Sequence, residues 1–279
     1  MEAFDTLLTL ALDEDLGTDG DVTSRAIFGE EMGRARLYSK DHGVLAGRPY
    51  FEKTYGRIAP DVKVEFFVED GDPLSPGDEV AVVEGPVVSI LEGERTAINF
   101  LSFLSGIATS SASYARAAKS GNALVLDTRK TLPGYRTLSK YAVAVGGATN
   151  HRMGLYDMVM IKDNHADAAG SIAAAVQKVR DAWGDRFRVE VETRNLDEVQ
   201  QAMDAGADII MLDNMSEELC AEAVALGAGK SVVFEASGNM DLDRVESYSP
   251  VGVDYISVGA LTHSVDAFDF SLRMDRDEG

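Results

Sequence analysis

Between residues 123 and 260 one pattern repeats six times: a short apolar run, a polar or small residue ending it, and a helix-like stretch. The runs are ALVLDT (123–128), MVMIKD (158–163), RVEVET (188–193), IIMLDN (209–214), VVFEAS (232–237) and YISVGA (255–260). Continuous apolar strands alternating with helices imply a parallel sheet covered on both faces. The intervening segments SIAAAVQKVRDAW and NLDEVQQAMDAG start at Ser171 and Asn195, both good N-caps, and the second ends at Gly206. Six closely spaced units favour an α/β barrel, complete or incomplete, over an open doubly wound sheet. No GxGxxG follows the first strand, which weighs against a dinucleotide-binding fold.

The first 120 residues follow a different rule. RARLYSK (34–40), VKVEFFV (62–68) and DEVAVVEG (78–85) alternate with period two between turn clusters and read as antiparallel strands. A helical stretch, 92–120, follows, with Ile98, Leu101, Leu104 and Ile107 at three-residue spacing on one face. With 279 residues, 45% of them hydrophobic, the chain can bury a full core in one large or two modest domains. No apolar run is long enough to span a bilayer. The opening segment has no basic region and does not read as a signal peptide. The single thiol, Cys220, excludes an internal disulfide framework. A cytoplasmic protein is expected.

A formal charge of −21 excludes nucleic acid as the main partner, since phosphate binding needs a basic surface. The row holds 9 Lys and 17 Arg against 27 Asp and 20 Glu. Scarce lysine with surplus aspartate suits a surface in molar salt, where screening shrinks repulsion to about 3 Å, so a halophilic source is expected. The acidity is uneven. Between Gly121 and His165 six bases (Arg129, Lys130, Arg136, Lys140, Arg152, Lys162) face three acids (Asp127, Asp157, Asp163). That segment is therefore +3 and the remainder −24. A basic island in an acidic chain implies an anionic ligand, and arginines suit bidentate carboxylate or phosphate contacts.

Polar residues at the C-terminal ends of parallel barrel strands line the active-site mouth. Here those ends carry Asp127, Arg129 and Lys130; Lys162, Asp163 and Asn164; Glu190 and Glu192; Asp213 and Asn214; Glu235, Ser237 and Gly238; and Gly259. Glu192 and Asp213 close consecutive strands, and two carboxylates facing a polyphosphate-like ligand suit Mg²⁺. Ser237–Gly238 and Gly259–Ala260 suit a phosphate cradle of backbone amides. Cations on one side with metal-binding carboxylates and phosphate amides on the other suggest joining an acid to a sugar phosphate.

ERTAINFLSFLSGIAT, DTRKTLPGYR, KYAVAVGGATNHRMGLYDMVMIKDNH, VEVET, AGADIIMLDN, EASGN and GVDYISVGALTHS together resemble the quinolinate phosphoribosyltransferase family, from about Leu12 to Arg273. The resemblance implies an N-terminal α/β sandwich over 1–105 and an incomplete α/β barrel of the type II phosphoribosyltransferase kind over 106–264. The tail, 265–279, is placed to pack back on the first domain. It further implies a homodimer, or a dimer-based higher oligomer, using Mg²⁺. Such enzymes are pentosyltransferases of NAD biosynthesis. They transfer ribose 5-phosphate from phosphoribosyl pyrophosphate to quinolinate, giving nicotinate mononucleotide, pyrophosphate and CO₂.

By matching motifs, Arg129, Arg152 and Lys162, with His151 beside them, resemble the quinolinate clamp, and Arg95 resembles the arginine given to the neighbouring subunit's site. Lys130 is placed between the two substrates as a catalytic group. Glu192 and Asp213 resemble the catalytic carboxylates that hold Mg²⁺, directly or through water, and the ribose hydroxyls. Ser237, Gly238 and Gly259 resemble the 5-phosphate cradle. Two departures, Thr193 and Arg194, follow VEVE where an apolar or acidic residue is common, and Arg194 is expected to be solvated. A molybdate-linked paralogue tends to lose the lysine present here as Lys162. A Schiff-base barrel lyase using Lys130 or Lys162 is the other alternative.

Overall fold

The structure is a computed structural model describing residues 2–275. Its strands are β1 (Met32–Ser39), β2 (Gly43–Val44), β3 (Lys63–Phe66), β4 (Pro73–Leu74), β5 (Glu79–Pro86) and β6 (Leu124–Leu126). There follow β7 (Val159–Ile161), β8 (Val189–Thr193), β9 (Ile209–Asp213), β10 (Val233–Ser237), β11 (Tyr255–Ser257) and β12 (Phe270–Met274). No described helix is long and apolar enough to cross a membrane.

The chain forms two compact units. Within the described residues the first holds 2–112, 132–147 and 265–275, and the second holds 113–131 and 148–264. The two units divide at 112/113, inside the long helix Val87–Ala117. Residues 132–147, expected in the barrel, belong instead with the first unit. The helix Arg136–Val145 buries Leu138, Ala142 and Val143, an apolar face that local sequence cannot assign to one neighbour rather than another.

In the first unit an antiparallel sheet runs β12–β1–β5–β3. β1 alternates buried Ala35 and Leu37 with outward Arg34 and Arg36, the pattern of a strand covered on one face. The core joins Leu37, Val80, Ala81 and Val83 of the sheet to Phe51 and Tyr55 of the helix Arg48–Ile58. Ile90, Ile98 and Leu101 of the long helix complete it. Full burial of each such side chain contributes about 1.5–3 kcal/mol. The segment preceding β12 crosses the long helix at Gly106, where a Cβ would meet Asp266 O at 2.2 Å. Phe268 N–H donates to Ser102 O at 3.0 Å in the same crossing.

The second unit is a six-stranded parallel sheet in the order β6–β11–β10–β9–β8–β7. The first and last strands of that order do not pair with each other, so the barrel is open. Thr149 makes a single parallel bridge to Leu126 along the free edge of β6. That edge contact delivers His151 and Arg152 to the barrel interior. The Ser171 hydroxyl accepts from Ala174 N–H (3.1 Å) and the Asn195 side chain from Glu198 N–H (2.9 Å). Both caps start their helices where the sequence places them.

Candidate active site

A cavity of about 380 Å³ opens at the C-terminal ends of the parallel strands. Arg129, Lys130, His151, Arg152, Lys162, Glu192, Asp213 and Ser237 all line it. A second cavity of about 300 Å³ shares Lys130, Asp213 and Ser237 with the first and adds Gly238 and Gly259. Thus ten of the eleven residues given site roles by the family resemblance line two cavities of one unit that share residues. The eleventh, Arg95, stands exposed on the long helix of the other unit.

Parallel pairing explains this gathering. Asp213 lies opposite Ser237 in the ladder, and Glu192 lies opposite Met211, one turn of the pleat below Asp213. Side chains two residues apart share a face, so Glu192, Asp213 and Ser237 project to the same side. The Lys162 ammonium is ion-paired with Glu192 across neighbouring strands. Lys162 N–H also donates to His165 Nδ1 at 3.0 Å, which gives His165 a helix-start capping role.

Arg152 donates through Nη1 to Met158 O (3.2 Å), and its Nη2 lies 3.4 Å from Met160 Sδ. Burial and the like charge of Arg129 both hold its pKa below the ordinary arginine value. Arg129 and Arg152 are thus neighbouring cations that gain by meeting an anion.

Backbone geometry shapes the phosphate-like turn. Gly238 has φ +112°, and a Cβ there would come 2.2 Å from Asn214 Oδ1. Asn214 (φ 54°) and Asn239 (φ 48°) also occupy the left-handed region, which Asn tolerates better than most residues. Asn214 N–H donates to Ser237 O at 2.9 Å, tying the two strand ends together. Asn214, marked in the sequence only as a strand end, and Asn239 and His263, given no site role there, all line the second cavity. The signal available was Asn directly beside Asp213 and Gly238.

Glu190 and Glu235, marked in the sequence as strand-end residues, lie deeper than expected. Both are fully buried. His151 Nε2 sits 3.1 Å from Glu190 Oε2 and 3.4 Å from Glu235 Oε2. Burial and the neighbouring Glu235 raise the Glu190 pKa. Burial opposes a second proton on His151 and the two carboxylates favour it. A different restraint acts at the other nitrogen: Arg152 N–H donates to His151 Nδ1 at 2.7 Å, occupying the lone pair that proton would need.

Arg194 is solvated as expected, pairing with Glu198 one helical turn on at 2.6 Å. Thr193 is buried, its hydroxyl donating to Met211 O at 2.8 Å.

An open parallel barrel with cations, carboxylates and a phosphate-type turn at its strand ends defines a phosphoribosyltransferase of the incomplete-barrel class. Residues 107–273 match the description "Quinolinate phosphoribosyl transferase, C-terminal domain", and residues 21–105 match its N-terminal domain. The chain belongs to the quinolinate phosphoribosyltransferase family. It is 41% identical over 259 residues to a Bacillus subtilis protein named "Probable nicotinate-nucleotide pyrophosphorylase [carboxylating]", covering 93% of this chain and 89% of that one. The Arabidopsis thaliana chloroplastic nicotinate-nucleotide pyrophosphorylase is 42% identical, covering 96% and 82%. The solved Francisella tularensis nicotinate-nucleotide pyrophosphorylase superposes with a TM-score of 0.94 at 37% identity, covering 98% and 96%.

Proposed function

We propose that this chain transfers the 5-phosphoribosyl group of phosphoribosyl pyrophosphate to the nitrogen of quinolinate, with decarboxylation, to give nicotinate mononucleotide, pyrophosphate and CO₂. The observation that carries this reading is the sorting of charge within one cavity. Arg129, Arg152, Lys130 and Lys162 share its lining with Glu192 and Asp213. Quinolinate brings two carboxylates, which suit the two guanidiniums and the lysine. Pyrophosphate departs as the C1′–O bond breaks and the C1′–N bond forms. Positive charge grows on the ribose in that step, and the Glu192 carboxylate is positioned to stabilise it. Loss of CO₂ leaves its electron pair at C2, steadied by the pyridinium nitrogen, until a proton replaces the carboxylate. No protein nucleophile is required.

Lys130 lies in both cavities and suits a bridge between acid and pyrophosphate. Ser237, Gly238 and Gly259 suit the 5-phosphate. Mg²⁺ fits the donor set, because Asp213 and Glu192 offer the one or two carboxylates that this ion takes alongside substrate oxygens. Bound there it would neutralise the pyrophosphate charge. We place the reaction in a cytoplasmic homodimer, or an assembly of such dimers, in which Arg95 serves the neighbouring site. The test is pyrophosphate release from quinolinate, phosphoribosyl pyrophosphate and Mg²⁺ at low and high KCl. Release dependent on all three supports the reading, and none at any salt from folded protein overturns it.

A further inference from the structure

We propose that His151 acts as a positioning residue and not as a substrate ligand: with Nε2 beside the buried Glu190 and Glu235, it holds through Nδ1 the backbone N–H of Arg152 and so sets that guanidinium at the cavity. The barrel interior is ordinarily filled by branched apolar side chains. Here, beneath the clamp, it contains two carboxylates with no exposed surface, one from β8 and one from β10. Burying such charges is costly unless something compensates them. The imidazole stands between them with Nε2 at 3.1 and 3.4 Å, and burial together with Glu235 raises the Glu190 pKa, which relieves part of the pair's charge. Its Nε2 is itself buried beside those carboxylates.

The other nitrogen settles the tautomer. An Nδ1 that accepts the Arg152 N–H at 2.7 Å carries no proton. The ring is then neutral with its hydrogen on Nε2. That tautomer also argues against a metal, although His151, Glu190 and Glu235 have the ligand types and mutual spacing of a metal site. A metal bound at Nε2 would require the proton to sit on Nδ1 as a donor. Around the ring stand Glu190 from β8, Glu235 from β10, Asp127 after β6, whose carboxylate accepts His151 N–H at 2.8 Å, and Arg152 itself. His151 thereby links buried charges in two strands to the backbone of a clamp residue.

The test begins with ¹⁵N-histidine NMR of the full chain, which has only four histidines to assign. One resonance pair at pH 7 should report a protonated Nε2 and a bare Nδ1, and should vanish in His151→Phe. A doubly protonated ring, an Nδ1–H tautomer, or stoichiometric metal that shifts Nε2 overturns the proposal. Kinetics supply the second arm, which rests on the function proposed above. Loss of one positioning hydrogen bond in His151→Phe should raise KM for quinolinate about tenfold, leaving KM for phosphoribosyl pyrophosphate unmoved. His151→Asn, whose Oδ1 can accept the same N–H, should restore most of that loss. Equal impairment in both variants means direct substrate contact and sinks the idea. If wild type shows no activity, the function reading fails, while the tautomer measurement still judges this one.

Discussion

Lys162 and Glu192, on neighbouring parallel strands, form an ion pair inside the cavity that both line. Each charge the reaction needs is therefore held by the other. A dicarboxylic acid reaching Lys162 competes with Glu192, and a ribosyl cation reaching Glu192 competes with Lys162.

That competition gives the two members of the pair opposite signatures. Glu192→Gln should leave KM for quinolinate unchanged or lower, because the rival carboxylate is gone. Its kcat should fall by about 10²-fold or more, the usual scale for losing a preorganised electrostatic partner. Steady-state kinetics with each substrate varied in turn checks the split. A raised quinolinate KM with normal kcat would contradict the assigned roles.

Lys162→Ala should abolish turnover without unfolding the protein. The ammonium is about half exposed, and pairs of that kind contribute only about 0–1 kcal/mol. Thermal unfolding should shift by at most a few degrees while pyrophosphate release falls below detection. Near-normal activity in this variant would remove Lys162 from the clamp.

Gly238→Ala tests the phosphate turn. The residue sits at φ +112° with Asn214 Oδ1 only 2.2 Å from the position a Cβ would take. Strain of this kind costs about 1–3 kcal/mol, so Tm should drop by several degrees. KM for phosphoribosyl pyrophosphate should rise well beyond that for quinolinate. Equal effects on both substrates would place the turn elsewhere in the reaction.

The thiol of Cys220 is fully buried in the helix Glu217–Leu226, and burial raises its pKa to about 11. The folded chain thus favours the neutral thiol. Its contribution to stability is present below the ordinary thiol range near 8.5 and is lost as pH rises toward 11. Native protein at pH 8 should resist iodoacetamide, and labelling should appear only on unfolding. Rapid modification of the folded form would contradict this burial.

Salt dependence follows from the charge of −21. Self-repulsion weakens as the screening length contracts from about 10 Å at 0.1 M to about 3 Å at 1 M. Tm measured by calorimetry should therefore rise between these KCl concentrations, before any substrate is added. A flat or falling Tm would count against adaptation to concentrated salt.

The strand ends were legible because parallel strands announce themselves as unbroken apolar runs and must stop in something polar. Arg129, Lys162, Glu192, Asp213 and Ser237 could be named from that rule alone, without knowing which would touch. Asn239 escaped, and Asn214 was marked only as a strand end, because their left-handed backbones depend on how two neighbouring strand ends are tied. Residues 132–147 escaped for a related reason: an amphipathic helix declares an apolar face but not the surface that face covers.

Periodicity and composition, both local properties of the chain, were enough to specify the strand–helix alternation, the acidic balance and the basic segment, four of whose six cations line the cavity. Depth was not local. Glu190 and Glu192 are two residues apart on one strand, yet Glu192 reaches the cavity and pairs with Lys162 while Glu190 lies buried against His151. The difference comes from barrel layering and from the Thr149 bridge at the edge of β6, after which His151 reaches Glu190 of β8 and Glu235 of β10. Such a difference arises only when segments distant in sequence close on one another, because burial and proton position are set by neighbours in space.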